Sequence, residues 1–476
     1  MENSNSSKRP PMFTNHALLM LILPLIIEQF LAVAVGMADT AMVTGVGEAA
    51  VSAVSLVDSI NTLLIQLFSA MSAGGSIIAA QYVGNRDEKN ACSAAKQLFL
   101  SIFAIAFIVS MAAVWLNKPI LRSVFGNLDP AIMEKAEAYF VISAVSYPFL
   151  ALYNSGAGLM RAMGKTQNTM FISLLMNVIN IGGNYFLINA GHPVSWTFFG
   201  GTAVSFNISF WCAGAGLGVA GAAWASLFSR AAAALIIIKM LGNHALPIHL
   251  CRPLKLRFDF SMVKRILFIG LPNGLENSLF QVGKLIIASL IATFSTSVIA
   301  ANSISGSISG LVNLPGNAIG LATVTVIGQC MGAGELKQAK KYARKLMLLM
   351  LVGIIPTNLI LYLYTPVFVG LFRLSAEGTA VAVELLKQYA VFSVAFWMPS
   401  FGMPNILRAA GDVRFTMSVS IFSMLICRLA FSYLFVLVLH MDLIGVWLAM
   451  YCDWIVRGAC FIIRYLSGKW QRHKII

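Results

Sequence analysis

Seven ionisable side chains interrupt stretches of sequence that are otherwise apolar. They are Glu28, Asp39, Asp58, Glu276, Lys284, Arg428 and Asp453. A charge inside the hydrocarbon core of a bilayer is costly, so such residues are candidates for function wherever their segment spans a membrane. A carboxylate in a cavity of low dielectric constant can exchange a proton for another cation. These positions therefore indicate ion-coupled chemistry.

Glu28 and Asp39 are the two carboxylates of the first apolar segment. They are eleven residues apart, about 1100° of helix rotation, which places them within about 20° of each other on one face. We expect both to face one cavity, with Asp39 as the coupling carboxylate. The alternative for each is a lasting ion pair with Lys or Arg, or a place near the lipid headgroups.

The second half of the chain has its own candidates. Glu276 and Lys284 lie eight residues apart, within about 80° on one helix, so a structural pair is one reading. A coupling or substrate role for Glu276, and a structural or gating role for Lys284, is the other. Asp58, Arg428 and Asp453 are expected near the interfaces or paired between helices.

Three asparagines follow helical spacing in the segment MNVINIGGNYF. Asn177, Asn180 and Asn184 recur at i, i+3 and i+7 and therefore share one helix face. Such amides can bind neighbouring helices together, or they can offer carbonyl oxygens to sodium beside Asp39. Both readings stay open at this point.

The composition places these residues in a membrane protein. Of 476 residues, 58% are hydrophobic and 11% charged, more apolar surface than a soluble fold can bury. Twelve apolar segments are each long enough to cross about 30 Å of hydrocarbon. They are residues 16–44, 49–80, 94–116, 134–160, 167–190, 211–240, 263–293, 297–328, 343–365, 380–406, 413–439 and 442–466. The predicted fold class is an all-α integral membrane protein.

The basic residues predict the orientation. The formal charge of +15 is concentrated in the loops on one side, which favours membrane topology over nucleic-acid binding. Both termini are then expected in the cytoplasm, and the protein itself in the cytoplasmic (inner) membrane. No cleavable signal peptide is expected in the polar start of the chain. The seven cysteines are scattered and predict neither disulfides nor a metal site.

The chain repeats itself. A shift of 248 residues aligns QYVGNRDEKNACSAAK with QCMGAGELKQAKKYAR, and a shift of 247 aligns GLMRAMGKTQ with NILRAAGDVRF. Each unit has six predicted helices, so the halves run parallel, as in alternating-access transporters. The predicted divisions are a tail at 1–15, an N-lobe at 16–240, a linker at 241–262, a C-lobe at 263–466 and a tail at 467–476. About 23 extra residues near 190–212 should form an external loop.

Proline and glycine mark expected bending points within the helices. Pro24 in the first segment and Pro272 in the seventh are the predicted hinges, and Pro315, Pro399 and Pro404 interrupt the eighth and tenth. The sequence has no HExxH, GxxxxGK[ST] or Ser-His-Asp pattern. An enzyme or an ATP-driven pump is therefore not expected.

These motifs resemble the multidrug and toxin extrusion (MATE) family, prokaryotic type, over nearly the whole chain. The matching features are Pro24 followed by Asp39 in GMADTAMV, the repeated turns quoted above, and GVAGAAWA. The resemblance implies a V-shaped, two-lobed exporter that exchanges an incoming proton or sodium ion for an amphipathic, often cationic drug. It also implies an N-lobe cation site at Asp39, Asn180, Asn184 and Ser226, with Glu276 matching a carboxylate used by another branch.

Two departures from the family pattern concern the coupling ion. Asn184 stands where the branch related to DNA-damage-inducible protein F has an aspartate, and the stretch VFSVAFWMPSFGMPN lacks the aspartate of the other branch. Sodium, if it is the ion, would lie at Asp39 and Asn180, and no other cofactor is expected. Glu28, Asn177 and Lys284 are predicted to line the substrate cavity.

The sequence therefore predicts a monomeric, cation-coupled antiporter for small amphipathic molecules. A lipid-linked saccharide flippase is the alternative, and it would need a large cationic cavity, which the sparse intramembrane Arg and Lys disfavour. An ion channel would need re-entrant filter segments or rings of charge, and the sequence has neither.

Overall fold

The computed structural model describes residues 10–126, 129–188, 190–198, 206–250, 258–372, 374–473 and 475, with side chains outside 190–214 and Thr40. The described chain is helical apart from one β-hairpin. The first half contains α1 (Asn15–Thr44), α2 (Glu48–Gly84), α3 (Glu88–Trp115), α4 (Asn117–Phe125), α5 (Pro130–Val145), α6 (Tyr147–Ala162), α7 (Thr166–Ile188) and α8 (Val219–Leu241). The hairpin, β1 (Ala190–Phe198) and β2 (Phe206–Ala215), joins α7 to α8 where the extra loop was expected.

The second half repeats this order. It contains α9 (Phe260–Ile291), α10 (Thr296–Val312), α11 (Leu314–Gly332), α12 (Leu336–Gly370), α13 (Ala376–Ala409), α14 (Val413–Val438) and α15 (Asp442–Leu466). A short 3₁₀ turn, Lys469–Arg472, follows. Residues 251–257 of the predicted linker lie outside the described residues, and α9 begins a few residues earlier than predicted.

The twelve predicted spans each correspond to a helix or a helix pair. Ten described helices are long and apolar enough to cross a membrane, and α5 with α6, which meet at 44°, could make an eleventh. The twelfth is α9, which has 32 residues but carries polar side chains that lower its hydropathy. The chain is a multi-pass membrane protein with two lobes, the N-lobe (α1–α8) and the C-lobe (α9–α15). Each lobe accounts for six of the predicted spans, because α4 is too short to be a span and the pairs α5 with α6 and α10 with α11 correspond to one span each.

The first residues of α1 and of α9 each pack against the opposite lobe. Leu18 and Leu25 of α1 belong to the hydrophobic core of the C-lobe. Conversely, Met262 and Ile266 of α9 belong to a core of the N-lobe. The two lobes are therefore joined by reciprocal packing at the end of the molecule where both helices begin.

Repeat-related residues meet at this same end. The Gln81 side chain donates to the carbonyl of Ala409 at 2.9 Å, and Gln329 donates to the carbonyl of Ala162 at 2.7 Å. A Cβ on Gly84 would overlap the carbonyl of Gln329, and one on Gly332 would overlap the carbonyl of Gln81. These contacts hold the ends of α2 and α11 in direct backbone contact.

The predicted bending points fall at helix irregularities or inside long helices. Pro24 and Pro272 lie within α1 and α9, and Pro315 lies where α10 gives way to α11. Pro399 lies in a π-helical stretch of α13, Ser393–Gly402. Such wider turns accommodate the missing proline N–H without ending the helix.

Candidate functional site

A cavity of about 410 Å³ lies in the N-lobe. Asp39 from α1, Asp58 from α2, Tyr139 from α5, Asn184 from α7 and Ser226 from α8 contribute to its wall. Asp39 lies near the end of α1 and Asp58 near the start of α2. The cavity therefore occupies the half of the lobe farther from the crossing of α2 and α11.

A chain of side-chain hydrogen bonds runs from Asp39 to Ser226. The Asn184 amide donates to Oδ1 of Asp39 at 2.6 Å and to the Asn180 carbonyl at 3.4 Å, and Asn180 donates to Ser226 at 3.1 Å. The Asn184 carbonyl oxygen is buried and accepts no hydrogen bond among the described atoms. An unpaired oxygen beside a carboxylate is a ligand set that suits a hard cation.

The asparagines that were predicted to share one helix face are all buried. Asn177, Asn180 and Asn184 are each at most 5% exposed, so the three amides do share one inward face of α7. The Asn177 amide nitrogen has no partner in the described part of the chain. Asn177 itself does not contribute to the cavity wall.

Asp58 is a cavity residue whose importance sequence reasoning underrated. Its Oδ1 accepts hydrogen bonds from Asn61 at 3.1 Å and from Tyr139 at 3.2 Å. Asn61 in turn accepts from Tyr147 at 2.6 Å. The available signal was the polar spacing of Ser55, Asp58, Ser59 and Thr62 on α2, all of which line the cavity.

Glu28 does not share the cavity with Asp39, so that prediction is wrong. Its carboxylate accepts from Arg161 at 2.9 Å and from Thr169 at 2.8 Å. The rotation argument found the correct face, but eleven residues also separate the two groups by about 16 Å along the axis. Arg161 lies at the end of α6, beside a turn.

Glu276 has the same arrangement in the C-lobe. It accepts from Arg408 at 2.6 Å, so the structural pair with Lys284, one of the two readings of the sequence, is not formed. Lys284 instead lines a separate C-lobe cavity, about 12 Å farther along α9. Glu28 with Arg161 and Glu276 with Arg408 are repeat-related pairs. The predicted pairing between helices is confirmed for Arg428 of α14 and Asp453 of α15, at 3.7 Å.

Two arginines at mid-helix are absent from the ionisable candidates named from the sequence. Arg230 on α8 donates to Ser146 at 2.6 Å and is close enough to Asp39 and Asp58 for electrostatic interaction. Arg457 on α15 pairs with Asp453 at 3.2 Å. Both lie in long, mostly apolar helices, and a systematic scan for basic residues at mid-helix would have found them.

Replacing Glu276 with glutamine should destabilise the protein by about 3–5 kcal/mol, because it leaves the Arg408 guanidinium partly buried without its counter-charge. Thermal unfolding of the purified protein in detergent measures this. The matched control is Glu137→Gln, which breaks the pair with Lys118, whose side chain is 63% exposed; that change should cost about 0–1 kcal/mol. Equal stabilities for the two variants would contradict a buried structural pair.

Comparison with known proteins finds a matching family model and several similar proteins. The MatE family model matches residues 24–186 and 272–434, two stretches related by the repeat shift. The chain is 26% identical over 473 residues to an uncharacterized transporter, YisQ, of Bacillus subtilis strain 168, covering 98% of this chain and 97% of the relative. It is 24% identical to a probable multidrug resistance protein NorM of Thermotoga maritima, covering 96% and 94%.

A solved structure has the same fold. It is described as the outward-facing conformation of a multidrug resistance MATE family transporter of the MOP superfamily. It superposes with a TM-score of 0.83 over 96% of both chains at 20% identity. The shared fold includes both lobes and nearly every described helix.

Proposed function

Because the chain belongs to the MatE family, we propose that it is a cation-coupled antiporter that exports amphipathic organic compounds across the cytoplasmic membrane. The observation that carries this proposal is the N-lobe cavity, in which Asp39 lies hydrogen-bonded to Asn184 beside an unpaired carbonyl oxygen. The coupling ion is a proton or sodium. Family membership favours an exporter over the flippase alternative.

The exchange follows from competition for one carboxylate. An entering ion at Asp39 neutralises that carboxylate, and an organic cation that depends on the same negative charge then loses its partner. Asp58, in the same wall, adds a second negative charge for that cation. Release of the ion on the other side of the membrane restores the charged state.

Alternating access is proposed to arise from movement of the lobes about the crossing of α2 and α11. Pro24 and Pro272 are the proposed hinges, since each lies inside a helix that packs against the cores of both lobes. With both termini in the cytoplasm, the contact between the lobes closes the cytoplasmic side. A monomer contains all of these parts.

The test is transport by the purified protein in liposomes under separate gradients. A cationic dye, rhodamine 6G, is preloaded, and a proton gradient or a sodium gradient is imposed alone. Efflux at least tenfold above protein-free liposomes under one of the two gradients is the expected result. Equal, slow efflux under both gradients and without any gradient would overturn ion coupling.

A further inference from the structure

Three cationic side chains surround one aromatic ring in the C-lobe. Lys284, Arg428 and Arg457 lie 5.3, 5.0 and 5.4 Å from the centre of the Phe280 ring. They come from α9, α14 and α15. A ring face attracts cations, but three of them converging on one residue concentrate positive charge at a single place in the membrane.

Among the described residues, one carboxylate balances this charge, and it is already bound to both arginines. Asp453 is 0% exposed and contacts Arg457 at 3.2 Å, Arg428 at 3.7 Å and the Ser423 hydroxyl. Lys284 has no acidic partner in the described part of the chain. The cluster therefore retains positive charge that an incoming anion could offset.

This positive charge faces a cavity of about 490 Å³. Lys284 and Arg428 line its wall, and no described aspartate or glutamate does so. Asp453 does not contribute to the wall of the cavity. A cationic ligand would be repelled there, whereas an anionic one would meet two positive groups directly.

The remaining wall suits an apolar or aromatic body. Tyr389, Trp397, Phe401, Trp447 and Trp454 contribute to it. Trp454 is 3% exposed, and its indole N–H is buried without an acceptor among the described atoms. Because the N–H itself has almost no exposed surface, the Trp454 ring contributes apolar surface to the cavity rather than a hydrogen bond.

We propose that the C-lobe cavity binds amphipathic organic anions, through Lys284 and Arg428, with aromatic side chains covering the apolar body of the ligand. The two lobes then have opposite charge preferences: the Asp39 and Asp58 cavity takes cations, and the Lys284 and Arg428 cavity takes anions. This inference rests on the proposed export function only for the biological use of the site. Binding of an anion to the site can be tested without transport.

The test compares two xanthene dyes of similar shape and opposite charge, fluorescein and rhodamine 6G. Binding to the purified full-length protein is measured by fluorescence anisotropy, without any ion gradient. Lys284→Gln should weaken fluorescein binding at least tenfold and leave rhodamine binding unchanged or stronger. The variant leaves no carboxylate unpaired, so the folded state should persist, and its melting temperature checks this.

Lys387→Gln is the matched control. Lys387 also lies over a ring, 6.0 Å from Tyr362, but it is exposed and outside the cavity. Fluorescein binding should not change in this variant. Unchanged fluorescein affinity in Lys284→Gln, or an equal loss in both lysine variants, would overturn the proposal.

The anion could be a free solute or a lipid headgroup, and nanodiscs separate these sources. If phosphatidylglycerol nanodiscs abolish fluorescein binding that phosphatidylcholine nanodiscs permit, the occupant is an anionic lipid. Binding in both indicates a free organic anion, and either result supports the site. If the unmodified protein binds fluorescein but shows no ion-driven efflux of rhodamine 6G, the proposed function is refuted and the proposed anion site is not.

Discussion

Ion-driven efflux of rhodamine 6G is expected to fall at least tenfold when Asp39 is replaced by asparagine. Asparagine keeps the shape of the side chain and can still bond to Asn184, but it cannot exchange one cation for another. The negative charge of Asp58 remains in the cavity, held by Asn61 and Tyr139, so dye binding should weaken less than transport. Efflux from liposomes and equilibrium dye binding measure the two effects separately.

The matched control for this substitution is Asp259→Asn. Asp259 caps the N-terminus of α9 by accepting from the backbone of Ser261 and Met262, and asparagine caps a helix as well as aspartate does. Its efflux should equal that of the unmodified chain. Undiminished transport by Asp39→Asn would remove Asp39 from the coupling mechanism, and Asp58→Asn would then be the variant to measure.

The architecture could be predicted because it depends on regularities that extend over the whole sequence. Twelve apolar segments and a repeat at a nearly constant shift do not depend on where any one side chain points. The same alignment pairs Gln81 with Gln329, and the structure places both at the crossing of the lobes. The π-helical stretch at Ser393–Gly402 was signalled only as a bending point at Pro399.

The site was harder to predict because it depends on depth in the membrane as well as on helix face. Glu28 and Asp39 share a helix face but lie at different depths along the helix axis, and the same is true of Glu276 and Lys284. Arg161 and Arg408 adjoin turns in the sequence, which made them resemble loop charges. Their long side chains reach carboxylates on another helix, and single-helix reasoning cannot show such a contact.

The two halves of the repeat share structural ion pairs but differ in the residues that line their cavities. The pairs of Glu28 with Arg161 and Glu276 with Arg408 are present in both lobes, which suggests a common role in holding the helices. In the repeat, Asp39 corresponds to Ile287, Asn180 to Cys427 and Asn184 to Phe431. Conversely, the cationic cluster around Phe280 belongs to the C-lobe. The two cavities therefore differ in their chemistry within one shared scaffold.

The crossing of α2 and α11 carries the second large expected effect. The double variant Gly84→Ala with Gly332→Ala should lower transport at least tenfold and shift the protein away from the closed contact between the lobes. Each new methyl group would overlap a backbone carbonyl of the other lobe, and a backbone carbonyl cannot rotate away as a side chain can. Overpacking costs about 1–3 kcal/mol per site, and about 1.4 kcal/mol is tenfold in an equilibrium constant.

Spin labels on Lys89 and Lys337 measure this shift in a cysteine-free background. Both residues are exposed and lie just beyond the crossing, at the starts of α3 and α12. The distance between them should lengthen in the double variant. Gly182→Ala is the control, because a Cβ there meets no atom within 4 Å, and it should change neither distance nor transport. A short, unchanged distance in the double variant would show that the lobes absorb the methyl groups without separating, and the crossing would then not be the point about which they move.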